Sequence, residues 1–243
     1  MKNISIAPLG DHALCVTFGN AISVDLSNTI RSYSQVIADA RLTGVGEIVP
    51  TYCTMMICYD PLQIGYGTLS EKIRALLEQP LPSAEIDLTR RVHIPVCYGG
   101  KFGPDLSFVA QHTGLTEEEV ISRHAGRDYP IFMLGFLPGF PYLGDLDSAL
   151  NTPRLSSPRI RIAPGSVGIG GEQTGIYPIA SPGGWRLIGR TPIKLFDPKR
   201  TPATPYVAGN MIRFDPISEL EYNAIFEQGS DYQLWIEDGV RLQ

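Results

Sequence analysis

The sequence predicts an α+β N-terminal domain, built as a β-β-α-β-β-α open sheet, followed by a mainly-β barrel domain. Three observations lead there. Strand-like and helix-like apolar periods alternate over the first 80 residues, Pro80-Leu-Pro82-Ser83 then interrupts the chain, and Gly135–Pro216 packs 12 Gly and 12 Pro among regularly spaced aromatics. The expected division is 1–82 for the small α+β domain, 83–217 for the barrel and 218–243 for a C-terminal extension with a short helix and a strand.

The first domain can be read element by element. Ala13 to Phe18 alternates as a strand, and Ile22, Leu26, Ile30, Tyr33, Ile37 and Ala40 then recur at helical spacing. Val45 to Tyr59 is rich in β-formers and divided by Pro50, which predicts two strands joined near that proline. A second helix is expected from Thr68, where Thr68 and Glu71 have capping-box spacing ahead of Ile73, Leu76 and Leu77. The result is a sheet with two helices on one face.

Beyond the proline break, Arg91 to Val96 reads as a strand and the loop from Tyr98 ends on Asp105, a favoured helix N-cap. Gly114 closes that helix, and Thr116 with Glu119 can cap a second one ending at Gly126. Glycine and proline at this density would by themselves suggest disorder. Phe136, Phe140, Tyr142, Tyr177, Trp185, Phe196, Tyr206 and Phe214 argue instead for short strands, such as Ser166–Ile169 and Trp185–Ile188, closing a barrel with aromatic filling. A helix over Leu220–Phe226 and a strand over Tyr232–Ile236 complete the chain.

Composition narrows the function classes. Cys15, Cys53, Cys58 and Cys97 form no C-x-x-C pair and lie in apolar stretches, so buried free thiols and a cytoplasmic location are expected. The N-terminus has no signal-peptide core, and no stretch approaches the roughly 18 apolar residues of a membrane span. Arg154–Arg213 holds nine Lys/Arg against Glu172 and Asp197, a net +7 in a chain of net charge -5. This suits an anionic ligand or an acidic partner, or equally the matching of charges inside the protein. The basic residues are scattered among Pro and Gly rather than aligned on a helix, which argues against nucleic acid.

No nucleophile elbow, Walker A sequence or H-E-x-x-H occurs, and the histidines lie too far apart in sequence for spacing alone to suggest a metal. His124, behind an apolar helical face, is either a satisfied core histidine or a proton carrier. The loop Gly135–Asp147 holds Phe136, Phe140 and Tyr142 between Pro and Gly, and rigid rings make good pocket walls. Arg154 and Arg159 each follow a proline and suit bidentate carboxylate recognition. The glycine-rich stretch Ser166–Pro178 lacks the strand-then-helix context of a dinucleotide fingerprint, leaving phosphate cradling as a weak option. Gln173 is a candidate hydrogen-bond partner for an amide, and Trp185, after Ser181-Pro-Gly-Gly, is a core residue or a lid.

These segments, GFLPGFPYLGDLD, PRLSSPR, GSVGIGGEQTGIYP, SPGGWRLIGRTPIKLFDP and Ile212-Arg213-Phe214, resemble the successive motifs of a bacterial family. It includes the 5-oxoprolinase B-subunit, allophanate hydrolase subunit 1, the matching part of urea carboxylase and the sporulation kinase inhibitor KipI. The resemblance is strong from His93 to Phe214 and weaker over Met1–Pro80. It implies a cyclophilin-like barrel and a function incomplete in one chain: the implied partners are a homologous cyclophilin-like C-subunit together with an A-subunit of 5-oxoprolinase. ATP with Mg2+ is the implied cofactor of the complex, with none tightly bound to this chain. The implied reaction opens the lactam of 5-oxo-L-proline to L-glutamate. Arg154 or Arg159 would take the substrate carboxylate, and Tyr142, Gln173 and Trp185 would frame the ring. The alternatives are a regulator of a sensor histidine kinase and a component of an allophanate- or urea-linked amidohydrolase.

Overall fold

The computed structural model describes residues 4–81 and 89–240, and the chain divides into two units, residues 1–87 and 88–243. Pro82 and Ser83 of the expected linker lie outside the described residues.

In the first unit, strands β1 (Ser5–Pro8) and β2 (Ala13–Thr17) precede helix α1 (Val24–Asp39), and strands β3 (Val45–Pro50) and β4 (Thr54–Tyr59) precede helix α2 (Tyr66–Leu77). All pairings are antiparallel, in the order β1-β2-β4-β3. Leu14, Val16, Met55 and Ile57 point to one face, where Ile30, Tyr33 and Ile37 of α1 and Leu69, Ile73 and Leu77 of α2 bury them. The expected helical stripe is therefore real, but its ends overreach: Ile22 precedes the helix and is exposed, and Ala40 is its C-cap. The predicted capping box at Thr68 does not form. The helix begins two residues earlier, after Gly65, so Thr68 sits inside its first turn, where no N-cap is needed.

The second unit is a closed barrel. Strand β5 (Thr89–Tyr98) leads to helices α3 (Leu106–Thr113) and α4 (Glu117–Ala125), then strands β6 (Asp128–Leu134) and β7 (Pro141–Leu143). After these come β8 (Arg159–Ile162), β9 (Ser166–Gly170), β10 (Gln173–Ile176), β11 (Ser181–Gly183), β12 (Arg186–Arg190) and β13 (Met211–Pro216). Helix α5 (Glu219–Gln228) and β14 (Ile236–Val240) end the described chain. Seven strands close in the order β5-β12-β9-β10-β7-β6-β13, and β13 returns to β5 as the one parallel pair among them. β8 and β11 form a separate two-stranded sheet, and β14 adds to β5. Val92, Ile94, Val96, Val167, Ile169, Ile188, Ile212, Tyr129 and Phe214 fill the barrel, and Val109 and Val120 of the helices pack onto the same core.

Local chemistry explains most element ends. Thr116 and Glu119 form the expected capping box, and Gly114 closes α3 in the left-handed conformation at φ +72°. Asp105 does not cap α3 with its side chain, which is bonded elsewhere. A second capping box, Ser218 with Glu221, starts α5. The last strand falls at Ile236–Val240 rather than Tyr232–Ile236, because Trp235 instead stacks on His93 at 3.7 Å between ring centroids. Of the four cysteines only Cys97 is buried. Cys15, Cys53 and Cys58 are half-buried: Cys15 and Cys58 lie on strands whose alternate residues face away from the core, and Cys53 lies in the turn between β3 and β4. Among the described residues no helix is long and apolar enough to cross a membrane.

Candidate functional site

One pocket of about 410 Å³ gathers much of the aromatic segment: Phe136, Leu137, Phe140, Tyr142, Arg154, Pro158, Tyr177, Ser181, Pro182, Gly183, Gly184 and Trp185 line it. Its volume lies within the range of small-molecule sites. The walls are rings packed edge to face, with Phe140 at 5.1 Å from Tyr142, 5.4 Å from Tyr177 and 5.7 Å from Trp185. These rings form a cluster with Ile162 and Leu187, separate from the barrel core.

The loop carrying Phe136 and Phe140 is fixed by its backbone. Gly135 N–H donates to the Phe140 carbonyl at 3.1 Å, Phe140 N–H donates to the Leu137 carbonyl at 3.0 Å, and the buried Tyr206 hydroxyl donates to the Gly139 carbonyl at 2.9 Å. Phe136 takes φ +62°, a conformation unfavourable for a non-glycine residue, and its ring is 62% exposed at the pocket. That combination marks a side chain held out rather than buried.

The glycine-rich stretch has a different purpose from phosphate cradling. A Cβ on Gly170 would stand 2.5 Å from the Trp185 ring, and one on Gly175 would stand 3.1 Å from it and 3.2 Å from Phe140. Alternate residues of β9 and β10 thus form a slot that admits the indole, and Trp185 is 6% exposed. Trp185 is a buried wall of the pocket, packed in the core cluster of Phe140, Tyr177, Ile162 and Leu187.

The seven candidate residues separate into four groups. Phe140, Tyr142, Arg154 and Trp185 meet in the pocket. Gln173 lies beside it, accepting from Arg154 Nη2 at 3.4 Å, while the Arg154 guanidinium lies 5.7 Å from the Trp185 ring. Arg159 is ion-paired: its Nη2 meets Asp105 Oδ1 at 2.8 Å and its Nη1 donates to the Trp185 carbonyl at 3.4 Å. His124 is remote from the pocket lining, wholly buried beside Tyr129 and Phe214.

The hydrogen bonds of His124 define its state. Thr174 Oγ1 donates to the Gly168 carbonyl, so it accepts from His124 Nε2, and Nδ1 accepts from the Tyr98 hydroxyl; both histidine contacts are 2.8 Å. Burial lowers its pKa from 6.5 to about 3, leaving a neutral, satisfied imidazole at physiological pH. Of its two alternatives the structure gives the core histidine.

The charge excess of Arg154–Arg213 is partly absorbed inside the fold. Arg159 pairs with Asp105 and Arg213 with Asp128, both carboxylates outside the segment, while Arg186 covers the Phe108 ring at 3.6 Å. Arg154 remains as the cation of the pocket lining. Burial raises the Tyr142 and Tyr177 pKa values against the opposing effect of Arg154, so both present neutral hydroxyls. The lining contains no carboxylate, histidine or thiol. Its polar side chains are the Arg154 guanidinium and the hydroxyls of Tyr142, Tyr177 and Ser181, a set suited to orienting an anionic, partly apolar molecule.

The fold and site therefore define a class: a barrel protein with a pre-formed aromatic pocket and one cation at its edge. A family model described as carboxyltransferase domain, subdomain C and D, matches residues 4–206. The chain is 40% identical over 234 residues to a protein of Bacillus subtilis (strain 168) named as the B-subunit of 5-oxoprolinase, an alignment taking in 93% of this chain and 98% of that one. The crystal structure of TTHA0988 matches with a TM-score of 0.74 at 33% identity, over 85% of this chain and 40% of the other, so the chain spans less than half of that protein. Kluyveromyces lactis urea carboxylase superposes with a TM-score of 0.82 at 19% identity, over 97% of this chain and 24% of that one, which shows a shared fold.

The chain belongs to the carboxyltransferase subdomain C and D family, the family of the 5-oxoprolinase B-subunit.

Proposed function

We propose that this chain is the B-subunit of a heteromeric, ATP-dependent 5-oxoprolinase and that its aromatic pocket holds 5-oxo-L-proline during opening of the lactam to L-glutamate. The observation carrying this reading is that Arg154 is the one charged side chain in a lining whose walls are largely aromatic and which holds no carboxylate, histidine or thiol. The guanidinium supplies two parallel donors for the substrate carboxylate, and Phe140, Tyr142 and Trp185 enclose the five-membered ring. Gln173, beside Arg154, is placed to steady the guanidinium. Arg159, bound to Asp105, is left out of the contact set. The naming of the Bacillus subtilis relative as one of several subunits supports a division of labour among chains.

In this reading the nucleotide binds elsewhere in the complex. Among the described residues no group of His, Cys, Asp or Glu is arranged to hold a metal ion, and the glycine-rich strands that might have cradled a phosphate are occupied by the Trp185 indole. The reading assigns ATP and Mg2+ to the partner chains, the homologous C-subunit together with the A-subunit, in a complex it places in the cytoplasm.

Co-expression with the A- and C-subunits, followed by purification and an assay of glutamate formation, tests the reading. ATP-dependent glutamate release from 5-oxo-L-proline that requires this chain is the expected result. A complex equally active without it would refute the assignment.

A further inference from the structure

Asp105 occupies an N-cap position, yet its carboxylate makes no bond to the first turn of α3. Both oxygens are spent on the pocket's support. Oδ2 accepts from Leu187 N–H at 2.7 Å, and Oδ1 accepts from Arg159 Nη2 at 2.8 Å. The Asp105 N–H in turn donates to the Leu187 carbonyl at 2.9 Å, so residue 105 grips Leu187 through backbone and side chain together. Arg159 carries the connection onward, donating to the Trp185 carbonyl at 3.4 Å. One carboxylate thereby joins the start of α3, the start of β8 and the first residues of β12, immediately after the indole wall.

The surroundings allow little play. A Cβ on Gly103 would stand 2.0 Å from the Ile188 carbonyl oxygen, so the chain entering α3 lies directly against β12. The Asp105 and Arg159 side chains are 10% and 30% exposed, which limits competition from water for their charge-assisted bonds. A helix that gives up its side-chain cap forgoes a favourable local interaction. Here the carboxylate is directed at the backbone that carries Trp185.

We propose that Asp105 is a positioning residue, acting through Arg159 to fix the Trp185 wall of the pocket. Arg159 thus influences the occupant without touching it. The consequence for substrate affinity rests on the function proposed above; the positioning itself does not.

Asp105→Asn retains an oxygen for Leu187 N–H while removing the charge that holds Arg159. Asp128→Asn is the control, because Asp128 also pairs with arginines, Arg91 and Arg213, but does not line the pocket. The indole N–H resonances of Trp185 and Trp235, followed by NMR in the isolated chain, need no substrate. Asp105→Asn is expected to move and broaden the Trp185 signal and leave that of Trp235 in place, while Asp128→Asn leaves Trp185 unchanged. Arg159→Met should reproduce the Asp105→Asn shift, and Arg159→Lys, which keeps a cation for Asp105, should restore part of it. In the assembled complex, Asp105→Asn should raise KM for 5-oxo-L-proline by about tenfold with kcat changed less than about twofold. An unmoved Trp185 signal in Asp105→Asn and Arg159→Met, with only the loss of melting temperature seen in Asp128→Asn, overturns the positioning role. A displaced signal with unchanged KM sustains that role and refutes the placement of substrate in this pocket.

Discussion

Gly170→Ala is the cleanest perturbation of the pocket, because Gly170 is not among the residues with positive φ and the change tests sterics alone. The new methyl carbon would stand 2.5 Å from both Cδ1 and Nε1 of Trp185 and 2.8 Å from Cε2. Carbon atoms reach contact at about 3.5 Å, so the indole must retreat by about 1 Å. Phe140 and Tyr177, edge to face with it, stand in the way. Overpacking of this kind costs about 1–3 kcal/mol, equivalent to a fall in melting temperature of about 2–6 °C for a chain this long. Calorimetry of the isolated chain reads the stability loss, and the Trp185 indole resonance reads the displacement. A Gly170→Ala protein with unchanged melting temperature and an unmoved Trp185 signal would refute the account of the glycine slot.

Two further outcomes follow from the buried polar network. His124 is neutral in the fold with its pKa lowered from 6.5 to about 3, so the unfolded chain takes up the proton first as pH falls. Its contribution favours the fold above pH 6.5 and is lost at about 1.4 kcal/mol per pH unit below that, until about pH 3. Comparing melting temperatures from pH 7 to 4, His124→Leu should be less stable at pH 7 yet show a shallower decline; an unchanged slope would contradict the buried neutral state. Tyr206→Phe removes the hydroxyl bonded to the Gly139 carbonyl, at an expected cost of about 1–2 kcal/mol, and hydrogen exchange at the Phe140 amide should quicken. Unaltered exchange there would show that the loop is fixed by other means.

Much of the architecture was legible because its periods are local. The stripe Ile30, Tyr33 and Ile37, the cap at Thr116 and the strand alternation of Ala13–Thr17 each depend on neighbours within a few residues. The barrel was legible from turn residues and aromatics, but the order of its strands was not, since closure of β12 onto β5 joins residues some ninety positions apart. The same limit applies to the site. Phe140, Tyr142, Arg154 and Trp185 could be named from their rigid settings, and all four line the pocket. Arg159 looked equivalent to Arg154 because both follow proline; only the distant Asp105 distinguishes them. Tyr177 was read as filling, although it is also a wall, and Asp105 as a helix cap, because nothing nearby in sequence reveals Leu187 or Arg159 as its partners. For the glycines at 170 and 175 the sequence left only a weak option of phosphate cradling, since the indole they accommodate is distant in sequence.

The central claim is that Arg154 and the rings around it hold the carboxylate and ring of 5-oxo-L-proline. Steady-state kinetics of the assembled complex carrying Arg154→Met tests it most directly, because methionine keeps an unbranched apolar side chain while removing the cation and its hydrogen-bond donors. Loss of a charge-assisted contact of about 1.5–3 kcal/mol predicts a KM for 5-oxo-L-proline raised by about tenfold to a hundredfold, with kcat largely retained. An unchanged KM would contradict the account.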